Sequence, residues 1–123
     1  MKMTIDKKNS NLPLLEQEAK EFSERYADND LINAFADAIP EFDHLWGSRV
    51  ISADVKAFSA EGSNYPEEVA FQVELVLRGI YSFWTVSYYC DKNLTVDTHD
   101  MMFHRGKLYT VNHYKLVDED ANK

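Results

Sequence analysis

The residue types that can do chemistry are concentrated in one short segment. Asp97 and His99 lie two residues apart, Asp100 follows, and His113 comes on what we predict to be the neighbouring strand. Carboxylate and imidazole groups on one strand face can hold a divalent metal or act as a general base. The spacing matches no tight metal signature, so we expect no metal and no cofactor, and we interpret these side chains as solvated or paired. A chemical role for Asp97, His99 and His113 nevertheless stays open.

Cys90 is the single cysteine of the chain. An internal disulfide is therefore impossible, which fits a reducing compartment. A nucleophilic thiol needs a base and solvent access. Cys90 instead shares the strand parity of Trp84 and Val86, so we expect a buried structural thiol. The four glycines are isolated and form no phosphate-binding loop. We predict no catalytic residue and expect a protein that is not an enzyme.

The most unusual segment spans residues 81–89 and contains five aromatic residues within nine positions. Two interpretations are open. Either the strand is central and both its faces are covered, or Tyr81, Phe83 and Tyr89 line an uncovered face as a recognition surface. Aromatic side chains suit recognition because they bring a large contact area with little rotamer entropy. Stacking on nucleic-acid bases would also need a basic groove, which the chain lacks.

The chain is acidic, with a net charge of −8 over 123 residues. Residues 1–46 hold ten acidic and five basic residues and so carry −5 of this charge. Such a surface disfavours direct binding to nucleic acid or to an anionic membrane, and it attracts a basic protein. Either the acidity only keeps the chain soluble, or carboxylates around the first two helices form a docking patch. For that patch we select Glu18, Glu21, Asp28 and Asp30.

Hydrophobic periodicity indicates the elements that must position these groups. Apolar residues recur at helical spacing over residues 15–26 and again over 31–39, and a third short turn spans 41–46. From residue 51 onward the apolar residues alternate, which predicts strands. The expected strands cover residues 51–57, 69–77, 80–90, 94–103 and 108–117, with tight turns at 91–93 and 105–107.

These elements predict an α+β domain with two or three N-terminal helices packed on one face of a four- or five-stranded antiparallel meander. We expect one domain over residues 12–117, a flexible tail over 1–11 and an acidic tail over 118–123. Helices followed by a meander are similar in layout to cystatin-like and nuclear-transport-factor-like domains, although no residues are carried over. That layout implies a pocket between helices and curved sheet, which these residues would line: Trp46, Phe71, Trp84, Tyr88 and His99.

Our leading hypothesis is a small acidic protein-binding module, a stoichiometric inhibitor or immunity-type protein that neutralises a basic partner, with nucleic-acid-handling proteins among the candidates. In size and charge the chain is similar to toxin-immunity proteins and phage-encoded inhibitors. The alternatives are a small-ligand-binding domain or modest enzyme, and a homo-oligomer that associates through the open sheet face. The chain shows neither the apolar run of a signal peptide nor a membrane-spanning stretch, so we expect a cytoplasmic protein.

Overall fold

The helices lie in the first half of the chain and most strands in the second. The computed structural model describes residues 1–7, 12–59, 69–79, 82–107, 109–112 and 115–118. In chain order the elements are β1 (Lys2–Ile5), α1 (Leu12–Arg25), α2 (Asp28–Ala38), a 3₁₀ helix (Pro40–Leu45), β2 (Arg49–Ser59), β3 (Val69–Arg78), β4 (Ser82–Asp91), β5 (Val96–Lys107), β6 (Tyr109–Asn112) and β7 (Lys115–Asp118). The expected α+β class is confirmed.

Each α-helix buries one apolar face, and α2 is also stabilised by its N-terminal cap. The buried residues of α1 have the predicted helical spacing: Leu15, Ala19 and Phe22. α2 begins at Asp28 with a capping interaction, in which the backbone N–H of Ala27 donates to the Asp30 carboxylate at 2.7 Å. It ends before Pro40, because proline restricts Ile39 to an extended conformation. In the described segments, neither helix has the length and apolar composition that a bilayer crossing requires.

Five strands form one sheet in the order β1-β2-β3-β4-β5. Strands β2 to β5 pair as antiparallel neighbours, as the predicted meander requires, whereas β1 runs parallel to β2. Strands β6 and β7 pair with each other in a separate two-stranded sheet. Alternate residues of β2, β3 and β4 face the helices, and the residues between them face away.

The flexible tail expected over residues 1–11 is wrong for its first part. Strand β1 pairs with residues 54–57 of β2, and the backbone N–H of Asp6 donates to the carbonyl of Ala57 at 2.9 Å. Three apolar side chains of this segment pack against the core: Met1, Met3 and Ile5. Local sequence could not reveal this strand, because four residues are too few to show a period and their partner comes after both helices. Residues 8–11 lie outside the described part of the chain.

The boundary of the fourth predicted strand also differs from expectation. We predicted a strand over residues 94–103 and a turn over 105–107, but β5 continues through Lys107. Its end stays in register with β4, where Ser82 is opposite Lys107. The backbone groups of this segment therefore pair with a neighbouring strand, and that pairing outweighs the local turn signal of Gly106.

The last predicted strand is also divided. Residues 108–117 were expected to form one strand beside the fourth, but the structure has β6 and β7, which pair with each other. Asp118 belongs to β7, and residues 119–123 of the expected acidic tail lie outside the described residues.

The core lies between the helices and the inner face of β2, β3 and β4, and its largest members are aromatic. Phe22 of α1 stacks on Phe71 of β3 with ring centroids 4.1 Å apart, and Phe35 of α2 stacks on Tyr88 of β4 at 5.8 Å. The inner face of β4 carries Val86, Tyr88 and Cys90. The sequence left open which face of β4 is buried, and the contacts of Tyr88 with α2 identify it.

The buried hydroxyl of Tyr88 provides a test of this packing. It donates to the backbone carbonyl of Leu31 in α2 at 2.6 Å, and the Tyr88 side chain is 0% exposed. Tyr88→Phe removes this bond from an apolar surrounding, so we expect the free energy of unfolding to fall by about 1–2 kcal/mol. Tyr89→Phe, on the opposite face, should change it by less than about 0.5 kcal/mol. Urea denaturation measures both, and equal effects would contradict a role for the Tyr88 bond in holding α2 on the sheet.

Candidate functional site

The outer face of the sheet, which points away from the helices, is the first candidate surface. Asp54, Lys56 and Glu74 are exposed on it. Phe58 and Tyr89 meet edge to face, with ring centroids 5.8 Å apart. This face therefore presents a small aromatic patch among charges of both signs. Self-association through it stays a prediction.

The three aromatic residues selected for this face do not share one environment. Tyr89 lies on the outer face and is half-buried. Phe83 has the same strand parity but is only 8% exposed and lies outside the main core cluster. Its ring therefore presents little area to a partner, and its selection as a contact residue stays a prediction. Tyr81 lies outside the described residues.

The space expected to form a pocket between helices and sheet is filled around its two central residues. Phe71 and Tyr88 are 0% exposed, so no water-sized space adjoins either ring. Trp84 is half-buried at the edge of the core, and Trp46 is exposed. The side chain of His99 lies outside the described part. The described members of this set therefore do not line a common cavity.

An open cleft of about 670 Å³ lies where the end of α1, the start of α2 and the start of β2 meet. Its polar lining includes Tyr26, Asn29 and Arg49. The α-amino group of Met1 also lines it and pairs with Asp28 Oδ1 at 3.0 Å. Asp28, one of the predicted docking residues, is thus ion-paired within the chain while its side chain remains 41% exposed, and its role in docking stays a prediction.

The cluster formed by Asp97, His99 and His113 is only partly described. Asp97 is exposed on β5, whereas the His99 side chain and His113 lie outside the described residues. In the described segments, no group of three or more His, Cys, Asp or Glu side chains is placed to hold a metal ion. The interpretation of this cluster stays a prediction.

The helical layer, residues 12–46, carries almost all of the net charge. It holds nine acidic and two basic residues, a net charge of −7, whereas the other described residues hold seven acidic and nine basic residues, a net charge of +2. The residues outside the described segments hold five acidic and two basic residues, which brings the chain to −8. The acidic residues of the layer are Glu16, Glu18, Glu21, Glu24, Asp28, Asp30, Asp37, Glu41 and Asp43. The protein is thus acidic on its helical side. A charge distribution of this kind attracts and orients a basic partner.

Two of the four carboxylates selected for docking have structural roles. Asp30 caps α2 and Asp28 pairs with the amino group of Met1. Both stand in the first turn of α2, where the helix dipole stabilises negative charge. Glu18 is half-buried, while Glu21 is exposed. The exposed carboxylates without such a role are Glu16, Glu21, Glu24, Asp37, Glu41 and Asp43.

The 3₁₀ helix adds a surface that the sequence analysis missed. Every third residue of a 3₁₀ helix lies on one side, and Phe42 and Leu45 form the side that packs against the core. Glu41, Asp43, His44 and Trp46 are exposed. Asp43 and Trp46 stand one 3₁₀ turn apart, joined by the Trp46 N–H, which donates to the Asp43 carbonyl. Trp46 was assigned to a pocket instead. The spacing of three residues between Asp43 and Trp46 was the signal that could have placed it on the surface.

A row of aromatic rings joins this helix to the core. Phe42 stacks on Phe35 with centroids 5.6 Å apart. His44 lies 6.2 Å from Phe42 and 5.8 Å from Trp84, and it meets Trp84 edge to face. The 3₁₀ helix is therefore fixed on the edge of the core by its side chains.

Cys90 is buried on the inner face of the sheet, as its parity predicts. Burial, together with the neighbouring charge of Asp91, raises the pKa of the Cys90 thiol to about 12. A thiol with this pKa remains protonated near neutral pH, and its side chain is only 3% exposed. Cys90 is thus a structural residue and lacks the properties of a nucleophile.

Alkaline pH should destabilise the fold through this thiol. The unfolded chain loses the proton near the ordinary pKa of 9.0, whereas the folded chain keeps it up to about 12. The full free energy of unfolding is therefore kept below the unfolded pKa. It falls as the pH rises between these two values, by up to about 1.4 kcal/mol per pH unit. Urea denaturation at about pH 8 and about pH 10 should show a lower free energy of unfolding at the higher pH. Burial also raises the pKa of Tyr88, so Cys90→Ala should reduce this loss without abolishing it. If Cys90→Ala lost as much stability at alkaline pH as the wild-type protein, the loss could not be assigned to the Cys90 thiol.

The structural role of Asp30 can be separated from its charge. Asp30→Ala removes the acceptor for the Ala27 N–H, and we expect the free energy of unfolding to fall by about 1 kcal/mol. Asp37→Ala removes the same charge from the last turn of α2, where the helix dipole disfavours a carboxylate, so stability should hold or rise slightly. Thermal unfolding of both variants measures the contrast. Equal losses in the two variants would contradict a specific capping role for Asp30.

The chain was compared with models of known protein families, with curated proteins and with solved structures. None of the three comparisons gives a match. The site residues named above are therefore identified by their own position, exposure and charge, and none is carried over from a relative.

Proposed function

We propose that this chain is a stoichiometric protein-binding module, an inhibitor of the immunity type, whose helical layer covers a basic surface of a partner protein. One observation carries the proposal: the helical layer has a net charge of −7, against +2 for the other described residues. The protein would act by occupying the partner's surface, which requires no chemistry of its own. A free, buried cysteine suits an encounter in the reducing cytoplasm.

The placement of the exposed carboxylates supports a directed interaction over general solubility. They lie on α1, at the end of α2 and on the 3₁₀ helix, and residues 26–46 contain no lysine or arginine. Carboxylates without neighbouring bases repel one another, which weakens the isolated fold. A basic partner relieves that repulsion when it binds, so the same charges that reduce stability favour the complex.

The charge also indicates what kind of basic surface is covered. Extended basic surfaces are typical of proteins that neutralise nucleic-acid phosphates. A layer of carboxylates competes for such a surface directly. We therefore place nucleic-acid-handling proteins first among the partners, and the complex would exclude their nucleic acid.

The filled core supports surface binding over the alternative of a small-ligand pocket. Phe71 and Tyr88, which would line such a pocket, are wholly enclosed by protein atoms. Binding at this position would require the helices to separate from the sheet, which would break the stacking of Phe22 on Phe71.

Two double variants of equal net charge test whether the helical layer is the binding surface. Glu16→Gln with Glu24→Gln alters the helical layer, and Asp54→Asn with Glu74→Gln alters the outer sheet face. All four side chains are exposed. The partner would be captured from source cells on the immobilised wild-type protein, identified by mass spectrometry and purified. Calorimetry would then measure its Kd for each variant.

We expect the helical variant to raise Kd about three- to ten-fold at low salt and less at high salt, because exposed ion pairs are screened. The sheet variant should bind within about two-fold of the wild-type protein. A neutral or acidic captured partner, or equal losses in both variants, would refute the proposal. If the partner binds nucleic acid, one equivalent of this protein should also release labelled DNA or RNA from it, as followed by fluorescence anisotropy.

A further inference from the structure

We propose that the anchor of this interaction is an arginine side chain of the partner, which stacks on Trp46 and pairs with Asp43. The Trp46 surface is formed by the outward residues of the 3₁₀ helix and its C-terminal end: Glu41, Asp43, His44 and Trp46. This inference rests on the proposed function, and it adds both the residue that gives the contact its specificity and the chemical group that occupies it.

The exposure of Trp46 is the first observation that supports an anchor. Its side chain is 52% exposed, and the other exposed large apolar residue among those described is Leu14, at 39%. Within the described segments, no ring contact or side-chain hydrogen bond joins the Trp46 indole to another residue. Interface residues that contribute most of the binding energy are often tryptophans, because a large apolar area is buried with few rotatable bonds.

The backbone that carries Trp46 is fixed before any partner arrives. The backbone N–H of Trp46 donates to the carbonyl of Asp43 at 3.1 Å, and that of Ser48 donates to the carbonyl of Leu45 at 3.0 Å. The next N–H, that of Gly47, donates to Asn33 Oδ1 at 3.2 Å. Gly47 has φ +73°, which glycine adopts without strain. Binding would therefore cost little backbone ordering, which favours affinity.

Charge identifies the occupant as a cation. Asp43 precedes Trp46 by one 3₁₀ turn, Glu41 lies two residues before Asp43, and both carboxylates are exposed. The face of an indole ring attracts positive charge through its quadrupole. An apolar partner group would remove water from these carboxylates without compensation. A second copy of the helical layer would bring like charges together.

Arginine fits this arrangement better than lysine does. Its guanidinium is planar, so it can lie flat on the Trp46 ring while its edge donates hydrogen bonds to a carboxylate. The lysine ammonium is more strongly hydrated and has no flat face. General attraction to an acidic protein would bind arginine and lysine equally well. A higher affinity for arginine therefore distinguishes this contact from such attraction.

The test uses hexa-arginine and hexalysine as probes at low ionic strength, with Kd measured by calorimetry. We expect the wild-type protein to bind hexa-arginine about three- to five-fold more tightly than hexalysine. Trp46→Ala should remove that preference, and Trp46→Phe should keep part of it. Leu14→Ala, at the other exposed apolar residue of the helical layer, is the matched control and should leave both affinities unchanged. Circular dichroism and the midpoint of thermal unfolding verify that each variant is folded.

Nuclear magnetic resonance locates the contact. Indole N–H signals are assigned with Trp46→Phe and Trp84→Phe, and hexa-arginine should shift the Trp46 signal more than the Trp84 signal. If the wild-type protein binds both peptides equally and Trp46→Ala changes neither affinity, the arginine anchor is refuted while charge-driven binding stands. If neither peptide binds, attraction of basic partners fails, and the proposed function fails with it.

Discussion

The packing of one helical layer on one face of the sheet is the contact on which the rest of the structure depends. Phe22 stacks on Phe71 and Phe35 on Tyr88, and these rings occupy the space where helices and strands meet. Once these apolar faces are turned inward, the carboxylates of the helices must point outward, because a buried unpaired charge is too costly. The acidic surface is therefore a direct consequence of the core. The same contacts leave the opposite face of the sheet without a helical cover among the described elements.

The acidic residues of the helical layer serve two different ends. Asp28 and Asp30 stabilise the start of α2, where the helix dipole and unpaired N–H groups favour a carboxylate. The others, apart from the half-buried Glu18, are exposed and have few basic neighbours, so they add repulsion to the isolated protein. A net charge alone does not distinguish these roles. The distinction requires knowing where each helix begins and ends, since a carboxylate interacts favourably with the helix dipole in the first turn and unfavourably in the last.

The placement of the aromatic residues was harder to predict than that of the charges. Alternation along β4 correctly separates Tyr88 from Tyr89, because side chains of a strand alternate between its faces. It cannot tell which face is covered, and it gives Phe83 and Tyr89 the same environment although Phe83 is only 8% exposed. Trp46 differs in the opposite direction, since it was expected to line a pocket and is exposed. Its large apolar side chain argues for burial, but Phe42 and Leu45 already occupy the inward side of its short helix.

The sequence by itself determined the class of the fold, the spacing of the helical core residues, the parity of Cys90 and the excess of acid in the first part of the chain. All of these depend on neighbours within a few residues. Only the tertiary structure decided that residues 2–5 pair with β2, that β5 continues to Lys107 beside β4, and that Trp46 is exposed. Each of these depends on a partner that is distant in the chain or on space already filled by other side chains. Local periodicity therefore does not predict such contacts.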